Sequence, residues 1–231
     1  MIILVDYDNI ESNLTRLGIQ YTATKIVSKI NPNEVTSGNR ILIRLYGGWY
    51  EFSRFTHRAQ NLSSDISSNF PMVLTLSDNN TTVIVNCEMA YSLLADPTNH
   101  LLYTFRPRGI PEGLKVKHPN SCGCTDPNCP IIAAYNFINN DVCVKCNTIK
   151  PKDIFYRGEQ KLVDTMLTSD LIFLSNQPNN LCIVSSDDDF WPGIITTLMY
   201  GKKIIHLHTR TRATPTYYSR NAGTNYIQKN L

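Results

Sequence analysis

The sequence predicts an α/β domain built on a mostly parallel sheet, with a small cysteine-rich insertion. Three observations point there. Short apolar runs such as MIILVD and LCIV alternate with longer amphipathic stretches, as strands do with the helices that cover a parallel sheet on both faces. Two of those runs end in acids, with Asp6 and Asp8 after the first and Asp187, Asp188 and Asp189 after a late one. Five of the seven cysteines fall between Cys122 and Cys146, in a Pro-, Asn- and Lys-rich stretch of poor periodicity.

Taken in order, residues 1–6 read as a buried strand. Residues 9–30 carry helical spacing, with Ile10, Leu14, Leu17, Tyr21 and Ile26 as the inward set, and Asn31-Pro32-Asn33 stops that helix. Residues 40–48 form a second strand broken by Gly47-Gly48, and residues 51–69 a second helix. Met72 to Leu76 and Thr82 to Cys87 are β runs around the turn Ser77-Asp78-Asn79-Asn80, and Leu101 to Phe105 is another strand. Residues 109–153 are the insertion. Glu159 to Leu174 is helical, Leu181 to Ser185 a strand, Phe190 to Tyr200 a helix and Lys203 to Leu207 a strand. The basic tail from Thr209 onward is expected to be partly irregular.

Composition narrows the classes. A length of 231 residues suits one domain plus an insertion. No apolar run approaches the roughly 18 residues of a membrane span, and the N-terminal run lacks a basic flank and is too short for a signal peptide. A cytoplasmic chain without a membrane partner is expected, and seven cysteines there argue against a disulfide framework. Cys87 and Cys182 lie in apolar runs and read as buried thiols. A net charge of +3 points only weakly to a polyanionic partner.

Sites in open α/β sheets lie at the carboxyl ends of the strands, where both acidic clusters fall. A third set, Asp164 and Asp170, belongs to the helix after the insertion, about 600° of rotation apart. Taken singly, these residues have ordinary explanations. Asp187 or Asp188 would cap the following helix and Asp8 the first one, while Asp164 would be a solvated helix residue. Taken together they favour a cation, because two carboxylates about 4 Å apart repel by roughly 4 kcal/mol at an effective dielectric near 20. Oxygen-only ligands select Mg²⁺ or Mn²⁺.

The stretches ILVDYDNI, EQKLVDTMLTSD and IVSSDDDFWPGIITTLMYGKKI resemble the three acidic blocks of NYN domains, which are PIN-like nucleases. The resemblance covers the start and the last third of the core, and residues from about 75 to 155 do not match. It carries over to Asp6, Asn9, Lys161, Asp164, Asp170, Asp187 and Asp189, with Phe190, Gly201 and Lys202 in the flanks. It implies a PIN-like three-layer sandwich over residues 1–108 and 154–231 and a metal-dependent nuclease acting most often on RNA. It further implies Asp6, Asp164 and Asp187 as direct ligands of Mg²⁺ or Mn²⁺. Asp189 would bind the metal or a water, Asn9 would orient substrate or a ligand, and Lys161 would contact a phosphate or hold a carboxylate. Asp188 departs from the small residue usual at that place and is expected to point away, and Asp170 is a ligand or a structural acid.

Within the insertion, Cys143-x-x-Cys146 has the spacing of a zinc half-site, and Cys124-x₄-Cys129 suits the other half. Cys122 is a fifth candidate in place of Cys124, so four of the five would close a structural Zn²⁺ site that stabilises a segment with little core. Arg106, Arg108, Lys115, Lys117, Lys145, Lys150 and Lys152 flank it, as a surface for nucleic acid or protein, or simply as solvated charge. His206 and His208 alternate along a strand and face one side, in a structural, surface or metal role. Arg210, Arg212 and Arg220 with Tyr217 and Tyr218 suit nucleic-acid contact or a solvated tail. Trp49, Tyr50 and Trp191 are core or base-stacking residues. The leading function is a metal-dependent endoribonuclease. The alternatives are a non-catalytic nucleic-acid-binding module and a protein-interaction scaffold that works through the insertion.

Overall fold

The computed structural model describes residues 1–35, 38–109 and 115–231, apart from the side chains of Pro107, Arg108 and Arg157. The chain divides into two compact units, Met1–Phe105 with Gln160–Leu231, and Arg106–Glu159.

The larger unit is built on a seven-stranded sheet. Its strands are β1 (Ile2–Asp6), β2 (Arg40–Tyr46), β5 (Met72–Thr75), β6 (Thr82–Met89), β9 (Leu181–Val184), β10 (Ile204–His208) and β11 (Tyr226–Asn230), in the order β11-β10-β9-β1-β2-β6-β5. Every pairing is parallel except the β5–β6 hairpin. The apolar runs at β1 and β9 are buried because both faces of the sheet are covered. Ile3, Val5, Cys182 and Val184 pack in one core with Ile19, Ala23, Ile26 and Val27 of α2 (Ile19–Val27) and Ala59 and Leu62 of α3 (His57–Asn69). Leu4, Leu181 and Ile183 pack in the other with Val163, Met166, Leu167 and Leu171 of α6 (Val163–Leu174) and Ile194 of α7 (Trp191–Met199). The result is a mixed α/β sandwich with a mostly parallel central sheet. Among the described residues no helix is long and apolar enough to cross a membrane.

Several elements differ from the sequence reading. The helix expected over 9–30 is split into α1 (Ser12–Thr15) and α2, and Gly18 at φ +91 makes the break, a conformation open to glycine and costly to other residues. The break rotates Leu17 and Tyr21 outward, to 60% and 45% exposure, whereas Ile10 and Ile26 are buried as expected. The helix expected over 51–69 begins instead with a hairpin of β3 (Tyr50–Glu51) and β4 (Arg54–Phe55), turned at Phe52 with φ 55. Thr56 then caps α3, its hydroxyl accepting from the Ala59 N–H at 3.2 Å. Leu101 to Thr104 is irregular, and the strand there is β7 (Phe105–Gly109). The residues from Glu159 form the end of β8 (Tyr156–Gln160), so α6 starts only at Val163. The tail is partly irregular as expected, and its Tyr226–Asn230 segment adds a parallel edge strand beside β10.

The smaller unit contains the helices α4 (Ile131–Asn139) and α5 (Pro151–Ile154) and a 3₁₀ turn at Pro119–Cys122. A nine-residue helix inside a segment of poor periodicity was not legible; its Ile-Ile-Ala-Ala-Tyr-Asn-Phe-Ile-Asn run is mostly apolar, yet none of its residues is buried.

Candidate functional site

The parallel register lines up three strand ends. Val5 pairs with Val184, and Val184 with Leu207, so one step further along Asp6, Ser185 and His208 lie side by side. Ser185 connects the acids, its hydroxyl donating to Asp6 Oδ2 at 2.9 Å and accepting from the Asp187 N–H at 3.0 Å. Asp187 in turn accepts the Asp189 N–H on Oδ1 at 3.0 Å, which closes the turn into α7. This is the capping role that a lone strand-end acid suggests, and it occupies one of the two oxygens. Asn9 ties the same three ends from the other side. Its Oδ1 accepts from the Ser186 N–H at 3.0 Å and from the Thr209 hydroxyl at 2.8 Å, so this oxygen fixes loops.

Asp164 comes from the first turn of α6, where the helix dipole favours an acid. Leu162, at φ 66, holds the left-handed twist that turns the chain from β8 into α6. Lys161 and Asp164 line one cavity of about 270 Å³, and the Lys161 N–H donates to the Thr104 carbonyl at 2.9 Å. Lys161 thus precedes the helix rather than lying on it.

These acids share one electrostatic neighbourhood. The Asp6 carboxyl is pushed up to about 7, first by burial and then by Asp164, Asp8 and Asp187, against the lowering hydrogen bond from Ser185. Asp164 is raised by its burial and by Asp187, Asp189 and Asp8. Burial is the larger cause in both, and the neighbouring like charges add to it. The structure therefore brings together Asp6, Asp164, Asp187 and Asp189, with Asp8 beside them. Among the described residues no three His, Cys, Asp or Glu side chains form a ready coordination shell. The acids are neighbours whose charges collide. Asp6 is buried, whereas Asp164 and Asp189 are exposed. The donor set is all hard oxygen and carries excess negative charge, which is the chemistry that suits Mg²⁺ or Mn²⁺.

Two neighbouring acids are neutralised by arginine. Asp8 is ion-paired with Arg58 and accepts the Gly48 N–H at 2.9 Å, so it caps no helix. Asp188 pairs with Arg212, whose guanidinium also donates to the Ser186 carbonyl. Asp170 stands apart in a buried network. It accepts from the Leu94 N–H at 2.7 Å, the Tyr46 hydroxyl at 2.6 Å and Arg44 Nε at 3.3 Å. Both its oxygens accept hydrogen bonds within the chain, which suits a structural acid.

His206 and His208 do face one side, with ring centroids 4.0 Å apart, but both are buried rather than at the surface. Nε2 of His206 donates to the Ser185 carbonyl at 3.0 Å, so Nδ1 accepts from the Tyr226 hydroxyl at 2.9 Å. Burial and His208 push the His206 pKa down to about 3, so this ring is neutral. The ring nitrogens of His208 are buried without a hydrogen-bond partner among the described residues. Trp49 is core at 1% exposure, and Cys87 and Cys182 are buried. Sequence reasoning missed Ser185, Thr209 and the Arg58 and Arg212 pairings. A hydroxyl directly after four apolar strand residues was the available signal for Ser185, while the arginines are remote in sequence and carry none.

In the smaller unit, Cys146 is set up as a thiolate. Hydrogen bonds from Thr148, from the Ile149 backbone and from Cys143 bring its pKa down to about 6. The turn that does this is closed by the Cys143 N–H on the Ile149 carbonyl and the Asn147 N–H on the Cys143 carbonyl, both 2.9 Å, with Asn147 at φ 52. Zinc binds thiolates, so the Cys143–Cys146 turn fits half of a zinc site. Cys122 is exposed, Cys124 half-buried and Cys129 buried.

Comparison with known proteins gives no match to any family model, curated protein or solved structure.

Proposed function

We propose that the chain is a PIN-like nuclease of NYN type that hydrolyses RNA with Mg²⁺ or Mn²⁺. The observation that carries this reading is the gathering of Asp6, Asp187 and Asp189 at the strand ends with Asp164 of α6, where burial first and neighbouring acids second raise the Asp6 carboxyl to about 7. A buried Asp6 carboxyl among acids of the same sign calls for a counter-charge, and the acid spacing resembles that of a nuclease family. Asp6, Asp164 and Asp187 hold the metal, and Asp189 binds it directly or through a water. When bound, the metal supplies a hydroxide nucleophile and neutralises charge on the scissile phosphate. Lys161, at the cavity it shares with Asp164, contacts a phosphate oxygen. Ser185 and Asn9 act as positioning residues, one aligning Asp6 with Asp187 and the other fixing the strand ends. The smaller unit is stabilised by Zn²⁺ on Cys143, Cys146 and two of Cys122, Cys124 and Cys129.

The test is incubation of labelled single-stranded RNA, structured RNA and DNA with the purified chain in Mn²⁺ and in EDTA. Cleavage of RNA in Mn²⁺ is expected, with loss in EDTA and in Asp187→Asn. Binding without cleavage in any metal would replace this reading with that of a non-catalytic binding module.

A further inference from the structure

Two arginines are bonded to the acid loops without joining the acid cluster. Arg58, in the first turn of α3, ion-pairs with Asp8, two residues beyond Asp6, and donates to the Tyr7 carbonyl at 3.5 Å. Its guanidinium lies 4.9 Å from the centre of the Tyr7 ring, a contact that holds a planar cation in one orientation. Arg212, beyond β10, ion-pairs with Asp188 and donates to the Ser186 carbonyl, so it is bonded to the residues on both sides of Asp187. The two side chains remain 50% and 29% exposed. Each guanidinium makes two hydrogen bonds to the chain out of the five donors it carries. Asp8 and Asp188 therefore orient these arginines without saturating them.

We propose that Arg58 and Arg212 form a two-ended phosphate clamp, which holds the backbone of an RNA strand on either side of the metal-binding acids. This inference rests on the nuclease reading above and assigns its substrate-positioning residues. The sheet order β10-β9-β1-β2 sets the sequence of contacts. Arg212 follows β10 and reaches the loop after β9, where Asp187 lies, and Asp6 ends β1. Arg58 is tied to Asp8, which also accepts the Gly48 N–H from the loop after β2. A strand laid across these carboxyl ends meets Arg212, then the acids, then Arg58. Charge makes such flanks necessary, because a cluster of carboxylates repels a polyanion everywhere except at the metal itself. Planar guanidinium groups with free donors match phosphate oxygens and take the neighbours of the scissile phosphate. The clamp binds backbone alone, so it tolerates any base sequence.

The test is the salt dependence of binding, measured by fluorescence anisotropy of a labelled single-stranded RNA oligonucleotide in EDTA, where nothing turns over and no divalent ion competes. Arg58→Ala and Arg212→Ala should each weaken binding about tenfold at low salt. Each should also lower the slope of log affinity against log salt by about 0.7, and the double variant by about 1.4. A merely structural arginine would leave that slope unmoved. Arg58→Lys should restore the slope, because it keeps the charge, and only part of the affinity, because it loses the planar fork. Lys203→Ala removes an exposed cation just before β10, at the opposite edge of the sheet, and should change neither quantity. Unchanged slopes in Arg58→Ala and Arg212→Ala, or an equal loss in Lys203→Ala, overturn the clamp. The two proposals fail separately. Reduced slopes in a protein that never cleaves keep the clamp and remove the nuclease, whereas cleavage with unchanged slopes does the reverse. No RNA binding at any salt, in EDTA or in Mn²⁺, overturns both.

Discussion

Replacing Asp6 with Asn keeps the shape of the side chain and its hydrogen bond from Ser185 while removing one buried charge. In the metal-free protein this substitution should stabilise the fold, and increasingly so as pH rises. The Asp6 carboxyl titrates near 7 in the folded chain against 3.8 as its unperturbed value. Between those values the folded state holds a proton that the unfolded chain has released, so ionisation in the unfolded chain lowers stability as pH rises through that window. The loss amounts to about 1 kcal/mol at about pH 4.5 and about 4 kcal/mol at about pH 7.5, at 1.36 kcal/mol per unit. His206, whose pKa is depressed to about 3, works in the opposite sense. It is neutral when folded, and its stabilising effect is lost as pH falls below its unfolded value near 6.5. The wild-type profile is therefore a sum of opposed slopes, and the difference between wild type and Asp6→Asn isolates the carboxyl. Thermal unfolding in EDTA should give Asp6→Asn the higher Tm near pH 7.5, by roughly 5–15 °C for a chain of this size, with the gap shrinking toward pH 4.5. Mn²⁺ should then raise the Tm of the wild type and leave the variant nearly unmoved. A gap that is absent, reversed or independent of pH would refute the claim that Asp6 is a buried charge held against its neighbours.

Three further expectations rest on separate parts of the structure. Asp170→Ala leaves Arg44 paired with Glu88 but strips the acceptor from the buried Tyr46 hydroxyl and the Leu94 N–H, and should cost about 1–3 kcal/mol, read by chemical denaturation, without removing the Mn²⁺-induced rise in Tm. Gly193→Ala places a Cβ 2.8 Å from Thr168 Cγ2 where α7 crosses α6, and the overpacking should cost about 1–3 kcal/mol in the same measurement. Cys146→Ser should abolish the retention of one equivalent of Zn²⁺ after desalting, measured by elemental analysis; a variant that keeps full zinc occupancy would remove Cys146 from the site.

The sheet was legible because its strands are buried on both faces, so β1, β2, β9 and β10 appear as apolar runs with little alternation. Elements of the second kind, set by local backbone conformation, were not. Gly18 splits a helix whose spacing looks continuous, and the Phe52 turn hides a hairpin inside a helical pattern. The strand β11 was missed because Tyr-Ile-Gln-Lys-Asn is only half-buried at the sheet edge, and an edge strand needs no apolar run. For the site, the acids after β1 and β9 could be found by type and position, and with Asp164 of α6 they influence one another's charge. Their partners could not. Arg58 lies 50 residues from Asp8 and Arg212 24 residues from Asp188, and only the fold decides which acid is neutralised.

That distinction separates the two buried acids beside the same sheet face. Asp6 and Asp170 are 4% and 1% exposed, and each would carry a charge that burial penalises. Asp170 is provided for within the chain by a backbone N–H, the Tyr46 hydroxyl and the Arg44 guanidinium. Burial and Asp170 together raise the pKa of that hydroxyl, so Tyr46 remains a donor. Asp6 has the hydroxyl of Ser185 and otherwise faces acids. Among the described residues no arginine ion-pairs with Asp6, and Arg58 and Arg212 are committed to Asp8 and Asp188. On the proposed reading the counter-charge for Asp6 comes from outside the chain, as a proton at low pH and a cation above it. Proton release on Mn²⁺ addition near pH 7 is the direct consequence of that competition, and its absence would mean that the metal and the Asp6 proton do not share a site.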